Sequence, residues 1–451
     1  MVDNNMRFEE AVFSGPDPVV RAEAAGCAFE AQARVMGLGA TGLISILAAD
    51  AVALALHDDL GAVASVWQAF EAEASHTFFQ TFAWLDAWQR HVGAPADVLP
   101  AIVTGRHPDG MLLFILPLAI HRQRAVRRLT FLGADLCDYN APLLHPEFEA
   151  MLGDAAFAAL WPRLLGQLQA DHRFTFDLID LPKIPERVGD QRNPLLVLGT
   201  TANPSGAYVT ALTGAWDEFY ASKRSSSTRK RERRQVRQLA DQGEIRFVDA
   251  LEGDERRRTL DLLFEQKARS FDRMGVRNIF ARPGYRSLFT AFAMDLGSRH
   301  LVHLSRMEVG PTIAAISLGF VSGSRYSLVI SSYDGGDLAR FGPGRAHLHE
   351  LLRLAIQNGF AVFDFTIGDE AYKQDWCDAR LTLQDHLSAA TWRGAIVVGL
   401  VSLFRSVKRA IKQSPVLWRQ FSRARSRLGA VRVSRFGAAG RRQAKNTDPH
   451  A

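Results

Sequence analysis

The stretch RYSLVISSYDGGDLARFGPGRAHLHELLRLAI, residues 325–356, decides the reading of the fold: a strand, a glycine-rich bend and a helix follow one another without a break. Leu328, Val329 and Ile330 form the apolar run of a buried strand, and Leu348, Leu351, Leu352 and Ala355 recur at helical spacing on one face. Between them stand Gly342, Pro343 and Gly344. A glycine-rich turn that opens a helix leaves unpaired N–H groups at the positive end of the helix dipole, an arrangement suited to phosphate. The same turn also serves simply to start a helix, and the motif alone does not separate the two uses.

Outward from this stretch, residues 301–307 and 312–323 read as an antiparallel pair joined through Glu308, Val309, Gly310 and Pro311, and they lead into the strand at 325–332. Upstream lie a strand over 244–250 and helices over 254–274 and 285–296, the first with Leu260, Leu263, Phe264 and Ala268 inward. Downstream, a strand over 361–365 precedes TIGDEAYKQDW, residues 366–376. Three antiparallel strands before the glycine turn, rather than a parallel βαβ unit, argue against a dinucleotide or Walker-type site. Residues 216–243 are helical at both ends, with an interruption expected over 225–228, and place Arg229, Arg233 and Arg237 on one face. Such a stripe suits a polyanion, either nucleic acid or a cofactor, and equally a solvated helix face.

The first part of the chain reads as helices over 60–73 and 77–91, then strands over 98–104 and 111–120 around the turn His107, Pro108, Asp109, Gly110. A strand at 129 ends in a polar bend with Asp135, Asp138, Tyr139 and Asn140, either facing a cleft or making turn contacts. Cys137 in this bend reads as a small structural thiol. A helix over 155–171 and a strand over 174–181 close this half, and the proline-bearing residues 182–210, with a short strand over 195–198, read as a connection. The fold class is therefore α/β (α+β), with mixed, largely antiparallel sheets flanked by helices.

The 451 residues suit two or three units, and 47% apolar with 23% charged residues is ordinary for a globular chain. Cys27, Cys137 and Cys377 form no CxxC pair, so neither a disulfide framework nor a zinc site is indicated, and a cytoplasmic setting fits. The net charge of +6 is uneven: residues 387–451 hold fourteen Lys/Arg against Asp448, leaving −7 on the rest. Such a tail suits anionic lipid, nucleic acid or plain solvation. The apolar run 395–404 is too short to cross a bilayer, though long enough for a helix lying on its surface. No secretory signal is read at the N-terminus, where Asp3, Glu9 and Glu10 stand.

The sequence GADLCDYNAPLL at 133–144, the Arg-rich helix ending at Gly243, SSYDGGDLARFGPGRAHLHELL at 331–352 and DFTIGDEAYKQDW at 364–376 together resemble the GNAT acyltransferase fold. More narrowly, residues 44–392 resemble the CelD/BcsL-type bacterial family associated with cellulose and exopolysaccharide biosynthesis, similar in fold to the Fem-type aminoacyl transferases. The resemblance implies tandem GNAT-like halves at 44–205 and 206–392, between an N-terminal extension at 1–43 and a basic tail at 393–451. It implies acetyl-CoA or another acyl-CoA as co-substrate, no metal, and an amine or saccharide acceptor. Peripheral membrane contact would come through the tail. The alternatives are a catalytically silent scaffold and a transferase that takes its group from aminoacyl-tRNA, the one reading that involves nucleic acid.

Carried onto this chain, the family's phosphate loop falls on Arg340, Gly342, Gly344, Arg345 and Ala346, with Phe341 where Gln or Arg is usual, so that Arg340 or Arg345 would substitute. The oxyanion N–H would lie near Ser331, Ser332 and Tyr333. Acyl transfer also needs a base for the acceptor and an acid for the leaving thiolate. Asp334, Asp364 and Asp369 are the candidate bases, Tyr372 the acid, and Lys373 a group to orient a phosphate or anionic sugar. His347 and His349 stand at i and i+2 and do not share a helix face, which argues against a metal site.

Overall fold

The computed structural model describes residues 47–122, 126–249 and 252–413; the extension expected at 1–43 and the tail after residue 413 lie outside the described residues. In chain order the first part supplies β1 (Ala53–His57), β2 (Val98–Arg106), β3 (Leu112–Arg122), β4 (Arg127–Phe131), β5 (Leu143–Leu144) and β6 (Leu178–Pro185). A small hairpin, β7 (Arg187–Val188) and β8 (Gln191–Arg192), and β9 (Thr201–Ala202) follow. The second part supplies β10 (Ala207–Ala211), β11 (Ile245–Asp249), β12 (Val302–Val309), β13 (Thr312–Ser322), β14 (Arg325–Tyr333), β15 (Val362–Ile367), β16 (Ala379–Leu381) and β17 (Leu383–Ala389).

The two large sheets share one plan. The first runs β1-β2-β3-β4-β6-β17-β9 and the second β11-β12-β13-β14-β15-β10-β16. In each, four antiparallel strands meet a parallel fifth, β4 with β6 and β14 with β15, and the sixth strand is antiparallel again. The tandem, mixed and largely antiparallel sheets expected from the sequence are therefore present. The sixth strand of the first sheet is borrowed: β17, from the end of the second part, completes the first sheet, while β10, immediately after β9, opens the second part and stays in the second sheet. The first sheet is therefore incomplete without a strand from beyond residue 205, whereas every strand of the second lies after that residue.

Local chemistry explains the element ends. Asp59 caps the helix Leu60–Glu71 by accepting from the Gly61 N–H at 3.0 Å, and Ser225 caps Ser226–Ala240 through the Thr228 N–H at 3.2 Å. The second cap produces the interruption expected at 225–228. The strand expected over 195–198 is instead a 3₁₀ turn, Pro194–Leu198, because Pro194 sits at its first position and the Asn193 side chain accepts from the Leu195 N–H. The strand expected over 174–181 lies further on, as β6.

One aromatic core runs through both parts. Phe78 stacks on Phe320 at 4.0 Å between ring centroids, and Trp84 packs against Phe320 at 5.1 Å and Phe292 at 5.4 Å. Each such ring, fully buried, contributes roughly 1.5–3 kcal/mol. An apolar seam of this kind holds two halves as one body rather than as hinged domains.

Candidate functional site

The site forms where β14 and β15 part. Their parallel pairing covers Arg325↔Val362, Tyr326↔Phe363 and Ser327↔Asp364 and then stops, although β14 continues to Tyr333 and β15 to Ile367. On β14, Ile330 faces Leu318 and Leu328 faces Gly319, which leaves Val329 as an extra residue, and such a bulge bends its strand. On β15, Thr366 has φ 58°, a left-handed conformation that a β-branched residue adopts only under constraint. Its N–H donates to Asp364 at 2.7 Å and its hydroxyl to the Leu328 carbonyl at 3.3 Å, and these bonds hold it there.

A cavity of about 350 Å³ occupies the gap. Strand residues Ser317, Leu328, Ser331, Ser332 and Tyr333 form one wall. The glycine turn and the helix Pro343–Gln357 supply Gly342, Pro343, Gly344, Arg345, His347 and Leu348, while Tyr372, Trp376 and Arg224 close the opposite side. Gly342 has φ 71°, which favours glycine, and a Cβ on Gly344 would stand 3.3 Å from the Tyr333 ring. The first turn of a 15-residue helix thus meets the cavity with little side chain in the way.

Electrostatics divide the cavity wall. Arg224 is buried in ion pairs with Glu232 at 2.7 Å and Asp375 at 3.0 Å, with Trp376 beneath its guanidinium at 4.9 Å. Its Nε has no hydrogen-bond partner among the described residues. Burial opposes the charge of Glu232, yet hydrogen bonds from Tyr220 and Arg224 hold its carboxyl below the usual range. His347, 2% exposed, lies between the hydroxyls of Ser305 at 3.0 Å and Ser317 at 3.4 Å, and burial pulls its imidazole down to about 3. The Tyr372 phenol interacts with Ser331, and burial and the nearby Glu370 hold it protonated well above its ordinary range.

Of the residues expected from the sequence, Ser332, Tyr333, Gly342, Gly344, Arg345 and Tyr372 line this cavity. Ala346 does not, being buried in the cluster that also holds Leu239 and Ile245. Nor does Arg340: its guanidinium lies 4.7 Å from the Phe341 ring, so of these two arginines Arg345 is the one that lines the cavity. The three carboxylates are engaged elsewhere. Asp334 accepts from the Gly336 N–H at 3.1 Å in a local turn. Asp364 is completely buried, between Tyr139 and Arg325, and so has no opening to an acceptor. Asp369 faces the Gly206 N–H and the Tyr208 hydroxyl, each at 3.5 Å, and Arg380 at 3.8 Å. Lys373 is 4% exposed and closes its own bend through the Ile367 carbonyl and Glu370, both at 3.0 Å.

In the first half, Cys137 is a buried thiol, pushed up to about 12 by burial, in keeping with a structural role. Among the described residues no group of three or more His, Cys, Asp or Glu is arranged to hold a metal ion.

Several site residues escaped the sequence reading. Lys267 and Gln266, on the helix Gly253–Met274, reach the parted strands: Lys267 Nζ donates to the Ser331 carbonyl at 3.0 Å, and Gln266 accepts from the Ser332 hydroxyl at 2.8 Å. Burial, aided by Lys373 and opposed by Glu370, lowers the Lys267 ammonium. Their signal was positional, since both continue the inward face one turn after Leu263. Arg224 and His347 gave none, because their surroundings are assembled from distant segments.

A second cavity, of about 360 Å³, lies between the halves, with Thr77, Tyr139 and Arg187 from the first and Arg325, Ser327 and Leu381 from the second. Ser327 lines this one and Leu328 the other, so the two cavities flank a single strand.

Residues 226–374 match the family model described as an acetyltransferase (GNAT) domain. No curated protein matches the chain. Among solved structures, the chain is similar to FemX, with TM-score 0.49, 12% identity and 75% of this chain aligned to 95% of that one. A conserved protein of unknown function from Bacteroides thetaiotaomicron VPI-5482 gives 0.47, 12%, 74% and 99% for the same measures. A tandem GNAT protein from the clavulanic acid biosynthesis pathway gives 0.40, 11%, 74% and 98%. The segment that holds the parted strands and the glycine turn is an acetyltransferase (GNAT) domain, and the chain is an acyltransferase.

Proposed function

We propose that the chain transfers an acyl group, acetyl in the simplest case, from acyl-CoA to an amine or hydroxyl acceptor. The observation that carries this reading is the cavity between β14 and β15, with the glycine turn at one end and Ser331, Ser332 and Tyr372 at the other. The residues fit the co-substrate. The first turn around Gly344, with Arg345 beside it, suits a pyrophosphate, and the buried, unpartnered Nε of Arg224 offers a further donor. When bound, acyl-CoA supplies an activated thioester.

This chain's own groups would then do the rest. Backbone N–H groups left without a ladder partner where β14 leaves β15 would orient the acyl carbonyl and take up developing negative charge. Tyr372, held protonated, would donate its proton to the departing sulfur, while the proton released by the acceptor would pass to water, from which the phenolate regains one. Leu328, Leu348 and Trp376 would exclude water. The second cavity is our choice for the acceptor: the Arg325 guanidinium is 41% exposed and is held from behind by Asp364 at 2.9 Å, which suits an anionic or polyhydroxylated group. A saccharide acceptor in exopolysaccharide or cellulose assembly, as the CelD/BcsL-type resemblance implies, is the substrate class we favour. Calorimetric titration of the folded protein with acetyl-CoA tests the reading. Binding that Gly344→Asp weakens by about tenfold or more supports it, and no binding by the wild type overturns it.

A further inference from the structure

We infer that the outward face of the helix Trp392–Gln413 rests on an anionic membrane surface. This inference is independent of the acyl-transfer reading. The inward face of the helix is fixed to the first sheet. A Cβ on Gly394 would stand 1.8 Å from the Asp177 carbonyl oxygen, so only glycine permits that approach, and Arg405 pairs with Asp180 at 2.7 Å and Asp385 at 3.8 Å. These contacts hold the opposite face away from the protein. It carries Trp392, Ile396, Leu400, Leu403 and Val407 at i, i+4, i+8, i+11 and i+15, with Phe404 beside them, each at least 50% exposed. Twelve large apolar side chains are exposed among the described residues, and these are six of them. Such concentration on one face marks an interaction surface.

Charge selects the occupant. The helix contains Arg393, Arg405, Lys408, Arg409 and Lys412 and no acid, and residues 387–447 contain no Asp or Glu at all. A second copy on this face would bring like charges together, whereas anionic headgroups neutralise them. No helix among the described residues is long and apolar enough to cross a bilayer, so this one would lie in the headgroup plane. Trp392, at its start, is a residue type that favours that interface.

The test uses the full chain. Wild type should co-sediment with phosphatidylcholine–phosphatidylglycerol vesicles and bind pure phosphatidylcholine vesicles about tenfold or more weakly. The double variant Leu400→Ser, Leu403→Ser should lose about tenfold or more of the binding to the anionic vesicles. Both leucines are exposed, so the fold is preserved, which the unfolding temperature verifies. Brominated lipid should quench wild-type tryptophan emission more than that of Trp392→Phe. Three results would overturn the inference: no sedimentation of the wild type, undiminished binding by the double variant, which would leave the tail charges alone responsible, or a wild-type dimer that Leu403→Ser dissociates and that ignores vesicles.

Discussion

The phenol of Tyr139, on the polar bend of the first half, donates a 2.8 Å hydrogen bond to the carboxylate of Asp364 on β15 of the second. Asp364 also accepts from Arg325 at 2.9 Å and from the Thr366 N–H at 2.7 Å. Burial and the adjacent carboxylate keep Tyr139 protonated far above the ordinary phenol range, so the donor persists at any working pH. The pair therefore joins the halves and fixes the residue at which β15 departs. Removing one partner from a buried pair costs about 1–3 kcal/mol. Tyr139→Phe and Asp364→Asn should each lower the urea midpoint accordingly, with acetyl-CoA affinity nearly unchanged. If Asp364→Asn abolished turnover at an unchanged midpoint, Asp364 would be a catalytic base and not a tie.

The glycine turn predicts a graded series. Gly344→Ala adds a methyl group 3.3 Å from the Tyr333 ring, a contact that a small shift of an exposed ring relieves. Gly344→Asp adds a negative charge at the same point, and acetyl-CoA affinity should fall by about tenfold or more. Gly342→Ala acts differently, because φ 71° costs an alanine about 1–2 kcal/mol wherever it occurs. Titration calorimetry combined with thermal unfolding separates the two: Gly344→Asp should move affinity alone, and Gly342→Ala stability first. Equal affinities for wild type and Gly344→Asp would place the phosphates elsewhere.

Tyr372 and Lys267 meet Ser331 from different elements and predict different losses. Tyr372→Phe keeps the ring and removes the proton, so kcat should fall by about a hundredfold at near-constant KM. Lys267→Met leaves the Ser331 carbonyl without its charged donor, which should lower both stability and kcat, with Lys267→Arg recovering part of each. Steady-state kinetics on all three variants decides the assignment. A Tyr372→Phe enzyme of wild-type kcat would remove the phenol from the proton-transfer step.

The strands and helices around residues 325–356 were legible because their periodicity is local. The apolar faces of Gly253–Met274 and Pro343–Gln357 and the antiparallel run from β12 to β14 all fell where side-chain spacing put them. The places of β10 and β17 in the sheets left no such trace. Each strand is short, and each pairs with a strand far away in sequence, β10 with β15 and β17 with β6. The same applies to the carboxylates. Alternation showed correctly that Asp364 faces away from Phe363 and Phe365, but not that Tyr139, 225 positions away, would cover it. For Arg340 and Arg345 the sequence offered equal candidates, and the stacking of Arg340 on Phe341 separated them.

His347 makes stability depend on pH. Its folded value, near 3, lies below the ordinary value of 6.5 because the neutral ring is buried between Ser305 and Ser317. The unfolded chain therefore binds the proton first as pH falls, and protonation favours unfolding. The contribution is fully present above pH 6.5 and is lost as pH falls from there toward the folded value. His349, pulled down to about 4 by burial and nearby arginines, acts in the same direction over a narrower window. Between those limits each histidine adds a slope of about 1.4 kcal/mol per pH unit. Gln at position 347 keeps groups that can bond to both serines and does not titrate. The difference between wild type and His347→Gln in urea unfolding, followed from pH 7 to pH 4, isolates this term from the carboxylates. It should be flat above pH 6.5 and change steadily below; parallel curves throughout would mean that the ring is not buried neutral beside the cavity.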